Sequence, residues 1–228
     1  MTRYSIDPVA EFYRQTGVRF PTLSLPIAPL GELIGSFNLI QVELSGLTGQ
    51  TAAKYLAVNS APVSQLDSAT DDPLAGFLYA TSRHAVLFVE RNDLIVRRRF
   101  SVAHELGHYW LHYVLQHDRA ASRTEIDNNS EPVIFVDTAR SLESDGDEAV
   151  ITEEVATTGA TLPTQNQMEY EADLFASRLL MPSYLVKALV ERYRPGFDGG
   201  TLIRRLASDL LVSRLAIRIR LRELGLLN

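Results

Sequence analysis

Apolar residues along this chain follow two periods, one typical of strands and one typical of helices. Residues 39–44 alternate apolar and polar side chains, which predicts a strand with one covered face. The runs 76–80 and 85–90 are almost wholly apolar and β-prone, and four residues separate them, so they predict a hairpin. A shorter apolar run at 132–137 predicts an edge strand.

The helical period appears in the segments before, between and after these strands. Asp7-Pro8 and Thr48 are typical helix starts, so short helices are predicted from residue 8 to Gly17 and from Thr48 to Val58. The remaining helices are predicted at 30–37, 93–114, 165–180, 183–194, 201–210 and 213–224.

Composition places the chain among ordinary globular proteins. It has 228 residues, 46% hydrophobic and 22% charged, which is enough for one substantial core. A formal net charge of -6 argues against a nucleic-acid footprint over the whole surface, but not against a local basic patch. Residues 1–10 show no signal peptide and no run is long enough to cross a bilayer, so we expect a soluble cytoplasmic protein without a membrane partner.

The chain has no cysteine. This excludes disulfides, thiolate metal sites and a cysteine nucleophile from these 228 residues. Any metal must therefore be held by His, Asp or Glu.

One motif on the predicted helix 93–114 has the spacing of a metal site. His104 and His108 are four residues apart, so both imidazoles lie on one helical face and can reach a single cation. Glu105 lies beside them, where it could take a proton from the water that the ion activates. Gly107 leaves room for another element to approach the helix closely. The alternative is a pair of solvated or hydrogen-bonded histidines, since chance alone gives such a motif in about 1% of chains of this size.

Zinc in a hydrolase usually has three protein ligands, so a third is expected. His112 is eight residues after His104, about 12 Å along a straight helix, which is too far for one ion. The bent arrangement that brings such a histidine back has a glycine where this chain has Leu111, so we interpret His112 as a hydrogen-bonded or structural histidine.

The predicted helix 165–180 offers carboxylates instead. Glu169 and Asp173 share a face, so one could bind metal while the other fixes the second nitrogen of a ligand histidine. Glu171 points roughly the other way. The alternative is a solvated acidic helix start, which the helix dipole favours without any metal.

Two sequence blocks resemble the ImmA/IrrE family of metallopeptidases. They read RRFSVAHELGHYWLH at 98–112 and EYEADLFASRLLMP at 169–182, with a weaker echo at 211–226. The resemblance implies an α+β fold: a zincin-like core whose small β-sheet packs on the HExxH helix, followed by a C-terminal helical hairpin.

The same resemblance implies the site and the activity. His104, His108 and Glu169 would be metal ligands, Glu105 the catalytic base, and Asp173 a residue that orients a ligand histidine. The expected ion is Zn²⁺, although Mn²⁺ could use the same ligands. The implied function is a zinc-dependent endopeptidase acting on a protein substrate, such as a helix-turn-helix repressor in a regulatory or stress response, which would make it an antirepressor.

The predicted organisation is a metallopeptidase domain at 1–198, with an acidic flexible insert at 138–164, and a helix-turn-helix-like extension at 199–228. The extension has six arginines against two acidic residues, so a DNA-binding regulator with a structural or vestigial metal site is the alternative function. We favour a helical pair packed on the core, because the segment is short and shows no third helix. Unchanged function after Glu105→Gln would favour the regulator.

Overall fold

The computed structural model describes residues 7–37, 39–59, 61, 71–81, 84–116, 133–138 and 164–227. The strands in these ranges are β1 Leu39–Leu44, β2 Leu74–Ala80, β3 Ala85–Glu90 and β4 Val133–Thr138. The α-helices in the same ranges are α1 Pro8–Thr16, α2 Leu30–Gly35, α3 Gly49–Val58, α4 Ile95–Gly107, α5 Gln165–Leu180, α6 Ser183–Tyr193, α7 Gly199–Leu210 and α8 Arg214–Glu223.

The four strands form one mixed sheet in the order β1-β3-β2-β4. Strands β2 and β3 pair antiparallel, which confirms the predicted hairpin. Strand β4 pairs antiparallel with β2 at the end of this sheet, as predicted for an edge strand, and β1 runs parallel to β3. Helices and a mixed sheet together agree with the α+β class, whereas the zincin-like core and the C-terminal hairpin stay predictions.

Strands β2 and β3 are almost wholly apolar because helices cover both faces of the sheet. Leu78 and Leu87 face the larger core, which also contains residues of α4 and α5. Phe77 and Phe88 face the opposite side, where they pack with Leu56 of α3. A strand buried on both faces cannot show alternation, which explains the continuous apolar runs in the sequence.

Helix α4 continues without a break into a π-helix, His108–Val114. Residues 115 and 116 are still helical and residue 117 lies outside the described residues, so the end predicted near residue 114 stays a prediction, whereas the regular α-helix expected over the last two turns is wrong. In a π-helix each backbone hydrogen bond joins residues five apart instead of four, so the helix is wider. Such turns are often found at functional sites.

Helix α5 packs closely on α4, and Gly107 is the point of closest approach. A Cβ on Gly107 would lie 3.1 Å from Cα of Ala172, 3.2 Å from its carbonyl oxygen and 3.3 Å from Cβ of Phe175. These distances leave no space for a side chain at residue 107. The expectation that a small residue here admits another element agrees with this contact.

Helices α7 and α8 contribute to the larger core. Leu206, Leu210, Ile217 and Leu221 are completely buried there. The boundary predicted between residues 198 and 199 stays a prediction. Of the predicted acidic insert, 139–163 lies outside the described residues. None of the helices in the described ranges combines the length and the apolarity needed to cross a membrane.

Replacing Gly107 with leucine should push α4 and α5 apart. We expect the substitution to lower the free energy of unfolding by about 1–3 kcal/mol, because the added side chain meets the backbone of Ala172 rather than a mobile group. Urea unfolding measures the change. The matched control is Gly31→Leu in α2, where an added Cβ meets nothing within 4 Å and the expected change is within about 0.5 kcal/mol. Equal effects at both positions would contradict the close approach.

Candidate metal centre

Three side chains from two helices meet at one point. Nε2 of His104 and Nε2 of His108 lie 3.0 Å apart. The carboxylate of Glu169 faces both rings, with Oε2 lying 3.4 Å from His104 Nε2 and Oε1 lying 3.4 Å from His108 Nε2. A tetrahedral ion held at about 2 Å requires ligand atoms about 3.3 Å from one another. The spacing and the donor types therefore fit Zn²⁺ or a similar divalent cation.

Asp173 fixes the orientation of the first imidazole. His104 donates a hydrogen bond from Nδ1 to Oδ1 of Asp173 at 2.8 Å. A proton on Nδ1 leaves the lone pair on Nε2, the nitrogen that faces His108 and Glu169. A carboxylate on the far nitrogen of a ligand histidine is a usual feature of metal sites.

Burial and charge favour the protonation states that a cation needs. Burial lowers the pKa of His108, although Glu169 opposes the shift. Burial alone would raise the pKa of Glu169, but hydrogen bonds and charge interactions with the two histidines outweigh it, so this pKa falls well below its usual range. A neutral imidazole and an ionised carboxylate are the forms that bind metal.

Glu105 occupies a different side of α4. It is completely buried and lies against strand β2, where Oε1 comes within 2.3 Å of the position that a Cβ on Gly76 would take. The role of Gly76 was not predicted from the sequence. The available signal was a glycine inside an apolar strand, which often marks a close approach to the backbone.

His112 belongs to the support of the site and not to the ligand set. It donates from Nε2 to the carbonyl oxygen of Met168 at 3.1 Å, so the prediction that it is hydrogen-bonded is confirmed. This bond ties the π-helical segment to α5 at the residue that precedes Glu169. Glu171 lies on the His112 side, with Oε2 at 4.0 Å from Nδ1 of that ring, apart from the three ligand atoms.

Phe135 of β4 covers the ring of His108. The two rings stack with centroids 4.7 Å apart and an angle of 21° between their planes. The sequence predicted the strand but not this contact, because the contact depends on pairing between β4 and β2. The edge strand thus shields one face of a ligand imidazole.

The arginines before the motif have structural partners. Arg98 forms an ion pair with Glu43 of β1, with Nη1 and Oε2 at 2.7 Å. Arg99 donates to the carbonyl oxygen of Ala28 at 3.1 Å, and Arg97 lies 3.2 Å from Asp93.

Arginines of the C-terminal helices have mixed roles. Arg220 is buried and donates from Nε to the carbonyl oxygen of Met181 at 3.1 Å, so it supports the core. Arg205 lies 3.2 Å from Asp209. Arg214, Arg218 and Arg222 are exposed on α8. The DNA-binding hypothesis for 199–228 therefore stays a prediction.

Residues 66–135 match the family model of the IrrE N-terminal-like domain, Peptidase_M78. The resemblance to the ImmA/IrrE family is confirmed. No curated protein matches the chain significantly. The matched range contains His104, Glu105 and His108, whereas Glu169 and Asp173 lie outside it. The family is one of metallopeptidases, so the match indicates metallopeptidase activity in general terms.

Removing the Asp173 carboxylate should weaken metal binding without abolishing it. We expect Asp173→Ala to reduce Zn²⁺ affinity by about 10- to 100-fold, because His104 loses the partner that orients its ring. Glu169→Ala should have a larger effect, since it removes a ligand atom. Competition with a chelating dye measures both affinities.

The control is Glu191→Ala, which removes an exposed carboxylate from α6. The Zn²⁺ affinity of the Glu191→Ala variant should equal that of the unsubstituted protein. Equal affinities for the Glu169 and Glu191 variants would place the cation elsewhere.

Proposed function

We propose that this protein is a zinc-dependent endopeptidase whose ion is held by His104, His108 and Glu169, with Glu105 as the general base. The observation that carries the proposal is the meeting of two Nε2 atoms and one carboxylate at mutual distances of 3.0 and 3.4 Å. The family match supports the reaction class, and the helix α5 supplies the ligand that lies outside the match.

A bound Zn²⁺ supplies Lewis-acid polarisation of a carbonyl and lowers the pKa of water toward neutrality. His104, His108 and Glu169 would hold the ion, and a site with three protein ligands leaves a fourth coordination position for water or substrate. Asp173 keeps Nε2 of His104 available as a ligand atom. Mn²⁺ has a similar preference for this set of ligands, so metal analysis of the purified protein decides between the two ions.

Glu105 moves the proton in the proposed mechanism. Its carboxylate accepts a proton from the attacking water and returns that proton to the amine of the departing peptide. Complete burial of Glu105 keeps bulk water from competing for this proton. The position of Glu105, one residue after His104 in the same helix, supports this role.

The proposed substrate is another protein, and a helix-turn-helix repressor in a cytoplasmic regulatory or stress response is the specific candidate. This part rests on the resemblance to the ImmA/IrrE family, many of whose members act on such repressors. Cleavage of the repressor would relieve repression, which is the antirepressor role.

Replacing Glu105 with glutamine should abolish peptide cleavage while leaving the metal in place. We expect the rate to fall by about 10²–10⁴-fold, because glutamine cannot accept the proton, whereas Zn²⁺ affinity should change little. Cleavage of the candidate repressor is followed by mass spectrometry, with casein as a general substrate. Glu191→Gln is the matched control and should keep full activity.

Two outcomes would contradict this proposal. Equal cleavage by the Glu105 and Glu191 variants would remove Glu105 as base. Unchanged biological function of Glu105→Gln, without cleavage products from either protein, would instead favour a DNA-binding regulator with a structural metal site.

A further inference from the structure

Gly76 of strand β2 lies against the carboxylate of Glu105. A Cβ built on Gly76 would lie 2.3 Å from Oε1, 3.0 Å from Cγ and 3.1 Å from Cδ of Glu105. Nonbonded heavy atoms normally approach no closer than about 3.5 Å. The three nearest atoms to the added carbon all belong to this one side chain, so glycine provides the space that Glu105 fills.

Backbone conformation does not require a glycine here. Gly76 is not among the glycines with positive φ in the described residues. It is paired on both sides, with Val89 of β3 and with residue 137 of β4, in the interior of the sheet. A glycine inside a strand weakens the strand, because it loses more backbone freedom and packs no side chain. The register of β2 against β4 shifts between Leu74 and Gly76, so a bulge also lies beside this glycine, but the distances to Glu105 show that space is required at residue 76 itself.

The surroundings leave the carboxylate little freedom to move elsewhere. Glu105 is completely buried, and its neighbours Ala103 and Leu106 on α4 are completely buried as well. Protein interiors are close-packed, so a displaced carboxylate must disturb other side chains or turn away from its present position.

We propose that Gly76 is a positioning residue for Glu105, which keeps the carboxylate in the place from which it acts as general base. The proposal rests on the proposed function for its catalytic part. Its structural part, the competition of a side chain at residue 76 with Glu105 for one space, stands on distances alone.

A thermal unfolding cycle tests the contact without any assay of activity. Gly76→Ala should lower Tm by about 3 °C or more when Glu105 is present, because the methyl group and the carboxylate compete for one space. In the Glu105→Ala background the same substitution should leave Tm equal or raise it, because alanine restricts the unfolded chain and nothing opposes its methyl group. A similar fall in both backgrounds overturns the proposal.

Kinetics test the positioning role. Gly76→Ala should lower kcat by about 100-fold, the usual cost of a misplaced catalytic group, while KM and Zn²⁺ affinity stay within about threefold. Glu105→Asp provides the conservative rescue, because its carboxylate is one methylene shorter and withdraws from residue 76. The factor by which Glu105→Asp lowers kcat should be at least about tenfold smaller when residue 76 is alanine than when it is glycine.

Gly31→Ala is the control, since its added Cβ meets nothing within 4 Å, and it should change neither kcat nor Tm by a comparable amount. A kcat for Gly76→Ala within threefold of the unsubstituted protein overturns the positioning role. Absence of turnover in the unsubstituted protein overturns the proposed function, and the unfolding cycle then still decides whether Glu105 and residue 76 compete for one space.

Discussion

Two buried imidazoles and a partly buried carboxylate have to be held together between α4 and α5, and the rest of the structure depends on how this is done. Buried polar groups are costly unless they are paired. His104 is bonded to Asp173, and both ligand histidines face Glu169, whose carboxylate they stabilise in the ionised form. A divalent cation at their meeting point would complete this pairing, since all three groups are then ligands.

The helices can supply these groups only because they approach closely. Gly107 removes a side chain from the contact between α4 and α5, and Ala172 adds little on the other side. Close packing at this point keeps Glu169, one turn before Ala172, within reach of both rings. The bond from His112 to the carbonyl of Met168 fixes the start of α5 to the same element. The geometry of the candidate metal centre and the packing of α4 against α5 are therefore parts of one arrangement.

The sequence predicted those parts of the site that lie within one helical turn and left open those that depend on packing. The spacing of His104 and His108 alone places two rings on one face. Glu169 and Asp173 could not be distinguished from the residues themselves, because both share a face of α5 and either could turn toward the metal. The family resemblance implied that Glu169 is the metal ligand. In the structure its carboxylate faces the rings of both His104 and His108.

Other features needed the fold itself. Two contacts depend on strand pairing and on the packing of α4 against the sheet. They are the contact of Gly76 with Glu105 and the stacking of Phe135 on His108. The π-helical segment has the same apolar pattern as an α-helix, so periodicity could not reveal it. Strand bounds were predicted well where turn residues flank an apolar run, as at β1 and β3.

The buried guanidinium of Arg220 has a consequence for the way this chain can be shortened. It satisfies the carbonyl of Met181 at the end of the helix that carries Glu169, and Ile217 and Leu221 of α8 fill the space beside it. Truncation after residue 198 would expose the apolar residues that α7 and α8 cover. It would also remove the hydrogen bond from Arg220 to the carbonyl of Met181, which would then be exposed to water. A minimal recombinant fragment for crystallisation or screening should therefore retain α8, even if the last helices prove to have a biological role of their own.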